Sequence, residues 1–262
     1  MSATTKNDFS GFRLTMMLLG AFILLFIIAP LLGMVVNTPF KAIASTVADS
    51  QVLHSIWLSI WVAMVTSLVF AIPAIPLAYI LARYDFPFKN VLNGIIDLPI
   101  VVPHSVVGIA LLGLIAGDSL LGKAFDSFGI NLLGTPFAIA LAMAFVSLPL
   151  LINSARDGFL QVPVRLEQAA LTLGATPSQV FFTIALPLAW RSITTGLVMM
   201  FARGMSEFGA VIIVAYHPMV ASVMIYDRFT TFGLKYAQPA ALIFLLISLF
   251  VFISLRFFSR KK

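Results

Sequence analysis

Apolar residues gather into six runs, at about 14–36, 56–82, 98–117, 136–154, 190–215 and 238–257. Each is near the ~20 residues that a helix needs to cross a ~30 Å hydrocarbon core. The runs do not alternate: LLGAFILLFIIAPLLGMVV has no period of two, whereas a membrane β-barrel is built from ~10-residue alternating segments. The pattern therefore predicts an all-α membrane protein with six transmembrane helices. The first run exceeds the ~7–15 apolar residues of a secretory signal and ends at Asn37 without a small-x-small cleavage site, so it is expected to be a retained span.

One stretch breaks this pattern. Residues 161–187 read QVPVRLEQAALTLGATPSQVFFTIALP. Pro163 suits a first helical turn, and Val162, Leu166, Ala169, Ala170 and Leu173 recur at the spacing of one helical face, with Arg165, Gln168 and Thr172 on another. Eleven helical residues reach only ~16 Å, about half of the hydrocarbon core, so this helix does not span. Gly174 suits the left-handed stop of a helix, and Thr176-Pro177-Ser178-Gln179 matches a capping box that starts the next one. Two short helices at a fixed angle are expected. A lipid-surface helix would crowd Lys and Arg on its polar face opposite large aromatics. Here a single Arg165, an acidic Glu167 and an alanine-lined side favour a protein-docking helix over a passive loop.

Composition agrees with a membrane protein: 61% of the 262 residues are hydrophobic, 10% are charged and the mean hydropathy is +1.07. No cysteine is present, which excludes disulfides and thiol-based metal or redox chemistry, and His54, His104 and His217 are too scattered to suggest a metal site. The net charge of +6 is topological rather than a sign of nucleic acid. With the N-terminus inside, the inner segments hold Lys6, Arg13, Arg83, Lys89, Arg156, Arg165, Arg191, Arg256, Arg260, Lys261 and Lys262, and the outer loops hold Lys41, Lys123, Arg228 and Lys235. Eleven against four is the positive-inside asymmetry, which places both termini and the 161–187 segment in the cytoplasm. Gly117 to Ala124 has the glycine and lysine spacing of a phosphate loop. It lacks a hydroxyl after Lys123, has no preceding strand and falls outside the cell, and is expected to be a turn between spans three and four.

Charges within spans carry the remaining chemistry. Arg203 and Glu207, four residues apart on span five, can pair on one helical face, and Ala202, Ser206 and Ala210 form a small-residue stripe beside them. The pair either staples the bundle or, with nearby hydroxyls, lines a path for an anion. Span three starts brokenly at Asp97-Leu98-Pro99 and again at Pro103-His104-Ser105, making Pro99, Pro103 and Ser105 pathway candidates alongside Arg203, Ser206 and Glu207. Residues 217–239 are expected to form an external helix dipping toward the interface. No low-complexity linker divides the chain, so one transmembrane domain over 1–262 is the economical reading.

Glu167-Gln168-Ala169-Ala170-Leu171-Thr172-Leu173-Gly174-Ala175, followed by Pro177, Phe181 and Ile184-Ala185-Leu186-Pro187, resembles the EAA signature of permease subunits of type I ABC importers. Gln168 stands where that family often has alanine, at the polar edge of the helix. The resemblance covers residues 50–258, with 14–36 as an additional N-terminal span, and the FARGMSEFGAV segment is similar to molybdate, tungstate and sulfate permeases. It implies that 161–187 is a cytoplasmic coupling helix between spans four and five, with Arg165, Glu167, Gln168, Ala169, Ala170, Gly174, Ala175 and Pro177 meeting an ATPase. It further implies a homodimer in a prokaryotic cell membrane, two ATPase subunits that hold ATP and magnesium, and an extracytoplasmic oxyanion-binding protein. This chain would bind no cofactor and catalyse nothing. Molybdate or tungstate is the expected cargo, with sulfate, thiosulfate or another small solute as the alternative. A membrane-embedded enzyme would need catalytic groups converging at membrane depth, which the sequence does not supply, and a passive channel would need no ATPase.

Overall fold

A computed structural model describes residues 5–129 and 131–260, nearly all of them in or between helices. In chain order these are α1 (Thr5–Val36), α2 (Phe40–Val47), α3 (Ser50–Arg83), α4 (Lys89–Val101), α5 (His104–Ile115), α6 (Leu120–Asp126), α7 (Pro136–Gln161), α8 (Val164–Thr172), α9 (Pro177–Val180), α10 (Leu186–Met205), α11 (Val211–Val214), α12 (Ala221–Phe232) and α13 (Leu234–Arg260). Five segments are long and apolar enough to cross a bilayer; α4 and α5 reach that length only together and are bent by 109° at their junction, which makes six if the pair is one span.

The bundle is built around α7, which packs along both α3 and α10. Close approach depends on missing side chains. A Cβ at Gly158 of α7 would lie 2.5 Å from Ser192 Cβ, and one at Gly196 of α10 would lie 2.8 Å from Ser154 Cβ and 3.2 Å from Leu151 Cα. The helices therefore meet backbone to backbone, as membrane helices do where van der Waals packing replaces the hydrophobic drive. The expected stripe of Ala202, Ser206 and Ala210 is not this seam: Ala202 is half-buried, Ser206 is exposed, and the helix ends before Ala210.

The core falls into two layers. One holds the C-terminal half of α3, the C-terminal half of α7 and most of α10, with Leu81, Phe159 and Ile193 at its centre. The other holds the N-terminal halves of α3 and α7 with α5, α11, α12 and part of α13. In this second layer Asp49 caps α3, accepting from Gln51 N–H at 2.9 Å, and pairs with Arg228 of α12 at 2.5 Å. Burial works against the Asp49 charge, but the Arg228 guanidinium and the capped backbone N–H groups outweigh it and hold the carboxyl below its ordinary range.

Three sequence expectations change. Run 98–117 is two helices, because Pro103 has no N–H to continue α4 and instead starts α5. Run 190–215 ends as a helix at Met205; the Glu207 carboxylate accepts Ala210 N–H at 2.9 Å, a local bond that competes with the helical ladder. Residues 217–239 are divided between two helices, α12 ending at Phe232 and α13 beginning at Leu234. Ala221, Val223 and Met224 of α12 are buried, and Ala221 N–H donates to Ser59 Oγ at 2.8 Å. The phosphate-loop mimic is a short capped helix, α6, in which Gly122 lies so close to the Ala116 carbonyl that a Cβ would overlap it. Helix α1 is packed on α13 only near its end, where Gln238 Nε2 donates to Met34 O at 3.2 Å.

Replacing Gly158 with Ala forces α7 and α10 apart and is expected to lower stability by about 1–3 kcal/mol. Gly113→Ala, at an exposed helical site with nothing near its Cβ, is expected to be neutral or stabilising by up to ~1 kcal/mol. Thermal unfolding of both variants in detergent compares them; equal melting temperatures would contradict this account of the seam.

Candidate functional site

The amphipathic segment forms the expected pair of short helices. Helix α8 ends in a Schellman motif: Ala175 N–H donates to Ala170 O at 3.0 Å, Gly174 N–H to Leu171 O at 3.0 Å, and Gly174 has φ +92. Thr176 then opens α9 through a complete capping box, with Thr176 N–H donating to Gln179 Oε1 at 2.8 Å and Gln179 N–H to Thr176 Oγ1 at 3.3 Å. Pro163 precedes the helix as its N-cap rather than occupying its first turn. A π-helical turn, Phe181–Ala185, joins α9 to α10.

Within α8 the only buried residue is Glu167. Its Oε1 accepts from Arg83 Nε at 2.9 Å and Nη2 at 2.6 Å, its Oε2 accepts from Tyr79 Oη at 2.9 Å, and Arg83 Nη2 also donates to Val162 O at 3.0 Å. Every oxygen of this buried carboxylate is thus bonded, the condition under which a desolvated charge is tolerated. Tyr79 lies edge-on to Phe159 at 5.2 Å and to Phe181 at 5.0 Å between ring centroids. One aromatic knot therefore ties α8 to the ends of α3 and α7 and to the π-turn that leads into α10.

The sequence-derived apolar face is divided by this latch. Val162 and Glu167 turn inward and Ala170 is half-buried, while Leu166, Ala169 and Leu173 face outward, Leu173 with 88% of its surface free. Arg165, Gln168, Gly174 and Pro177 are exposed with them, and Ala175 is half-buried. Glu167 positions the helix and offers nothing to the outside. Nothing in the sequence pairs it with Arg83, 84 residues earlier.

Deeper in the bundle, the second charged centre gains a member. Glu207 is fully buried; its Oε2 lies 3.0 Å from Arg203 Nη1 and 3.0 Å from His104 Nδ1, within ion-pair range but without an aligned hydrogen bond. Arg203 Nη2 lies 2.9 Å from Nδ1 and 2.8 Å from Nε2 of His104. The α4–α5 elbow brings His104 there, and Gly209 lets it in, since a Cβ on Gly209 would lie 2.8 Å from His104 Cβ. Of the other candidates, Pro103 and Ser105 are exposed at the elbow, Ser206 is exposed beside Arg203, and Pro99 is buried in α4. No group of three metal-ligating side chains occurs among the described residues.

Fold and site together define a helical, multi-span membrane protein that carries a rigid surface helix tied to its transmembrane bundle. Residues 74–262 match the binding-protein-dependent transport system inner membrane component family, and the chain belongs to that family of importer permease subunits. It is 41% identical to the molybdate/tungstate transport system permease protein WtpB of Pyrococcus abyssi, over 93% of this chain and 94% of that protein. With the protein of the same name from Pyrococcus furiosus the identity is 43%, over 91% of each. The sulfate transport system permease protein CysT of Salmonella typhimurium is 29% identical over 97% of this chain and 95% of its own length. In fold the chain resembles a bacterial ABC transporter that imports the acidic polysaccharide alginate, with TM-score 0.75 at 19% identity, covering 98% of each chain.

Removing the Glu167 carboxylate leaves Arg83 buried without its acid, a loss of roughly 3 kcal/mol or more. Glu167→Ala is expected to speed amide hydrogen exchange across residues 164–173 about 100-fold, and Tyr79→Phe, which removes one charge-assisted bond, about tenfold. Unchanged exchange in both variants would mean that the latch does not hold α8.

Proposed function

We propose that this chain forms the alternating-access path through which an extracytoplasmic binding protein delivers molybdate or tungstate, driven by separate ATPase subunits that grip α8. The observation that carries the cargo is identity of 37–43%, over nearly the whole chain, to permeases named for molybdate and tungstate. The outward edge of α8, with Leu166, Ala169 and Leu173 uncovered beside Arg165 and Gln168, supports the docking role. A short apolar edge on a helix that cannot move independently suits a protein groove.

Two copies of the chain face one another across the path, each held by one ATPase, and both termini and α8 lie in the cytoplasm. The excess of Lys and Arg in the segments on that side supports this orientation. ATP and magnesium belong to the ATPases. When ATP closes the ATPase pair, the two α8 helices are drawn together, and each Arg83–Glu167 latch passes the displacement to α3, α7 and α10 as a rigid body. The bundles tilt from inward-open to outward-open, and hydrolysis returns them. Selectivity resides mainly in the binding protein. Sulfate is the second reading, supported by the 29% identity to sulfate permeases.

Gly174→Asp places a side chain where the backbone is left-handed and a charge on the docking edge. The variant is expected to insert into membranes and retain its helices while losing ATPase association and uptake, measured by co-purification and by oxyanion counting in proteoliposomes. Normal uptake would remove the docking role. Titration of the cognate binding protein with molybdate, tungstate and sulfate decides the cargo, with tight binding of sulfate alone overturning the first reading.

A further inference from the structure

Among the described residues, one face of α10 is left largely uncovered by the rest of the chain. Arg191, Thr195, Met199 and Arg203 recur at four-residue spacing, with Ser206 three residues on; all are exposed except Arg203, which keeps 29% of its side chain free. At ~1.5 Å per residue the stretch from Arg191 to Ser206 rises ~22 Å, most of the hydrocarbon thickness. Lipid is a poor neighbour for such a face, since a guanidinium at membrane depth is expensive. The chain supplies its own comparison: from Leu14 to Val36, α1 is open on nearly every side and has a single polar side chain, that of Thr15.

The chemistry of the face is that of an anion contact. Thr195 Oγ1 donates to Arg191 O at 2.8 Å and Ser206 Oγ to Arg203 O at 3.1 Å, so the hydroxyl protons are spent on backbone, and the guanidinium of exposed Arg191 and the free 29% of the Arg203 side chain are what remain to meet an anion. Arg203 is held in place by Glu207 and His104 behind it. The buried carboxylate offsets part of its charge, which leaves a contact able to attract a dianion without trapping it, as passage requires.

We propose that this face of α10 lines a water-filled path for a tetrahedral oxyanion, with Arg203, steadied by His104 and Glu207, as the deep contact and Arg191 as the inner one. The identity of the passing anion rests on the function proposed above; the lining of the path does not. The chain has no cysteine, so Thr195→Cys and Met199→Cys each introduce a single thiol. In vesicles carrying the full complex, both thiols are expected to react with the anionic sulfonatoethyl methanethiosulfonate at least about tenfold faster than with the cationic trimethylammonium reagent, each rate normalised to a free thiol.

Adding Arg203→Gln together with Glu207→Gln, which leaves no unpaired buried charge, is expected to bring that ratio toward one. Tungstate uptake should then fall about tenfold or more, the worth of one charge-assisted hydrogen bond. Thiols that react only with a lipid-soluble maleimide would put this face in lipid, and thiols that react with nothing would put it against a second copy; either result overturns the proposal. So does a ratio or an uptake rate that the double substitution leaves unchanged. If the thiols behave as expected but the native complex carries no oxyanion, the lining stands and the cargo reading falls.

Discussion

The buried carboxylate of Glu167 is the constraint on which the rest of this architecture turns. A charge out of water at the base of a bundle is stable only when every oxygen is met, and here one guanidinium and one phenol do so from α3, the guanidinium also donating to the Val162 carbonyl. Because the ring of that phenol lies against Phe159 and Phe181, the position of α8 is tied to three helices at once. A surface helix that is apolar only along one edge would otherwise slide or fray. The latch fixes it to the bundle.

The two charged centres have a common design. Each sits where a helix is interrupted: Glu167 beside the Pro163 and Gly174 boundaries of α8, and Glu207 just beyond the last turn of α10, opposite the Pro103 elbow. An interrupted helix frees backbone groups that a buried acid can accept, as with Ala210 N–H on Glu207. The core is divided into an α8-side layer and a layer at the other end, linked by the unbroken lengths of α3 and α7. The two layers are therefore joined by continuous helices rather than by loops.

Much of this was legible in the sequence because it depends on local rules. The candidate crossings follow from run length against bilayer thickness, and the α8 stop and α9 start follow from Gly174, Thr176 and Gln179, whose partners lie within five residues. Boundaries failed where a local bond outcompeted hydropathy. Run 190–215 is apolar enough to continue, yet the chain leaves the helix at Ser206, and run 98–117 hides an elbow of 109°.

By itself the sequence determined an all-helical membrane protein with one pair of short capped helices between its apolar runs and a charged pair in the fifth run, since composition, period and capping chemistry act within a few residues of one another. Only the tertiary structure decided what those charges do. It turned Glu167 inward onto Arg83 and Tyr79, brought His104 to Arg203 across 99 residues of chain, and left one polar face of α10 open. The reason is that a desolvated charge takes whichever partner the packing of Gly158, Gly196 and Gly209 brings within ~3 Å, and that packing is a property of the whole bundle.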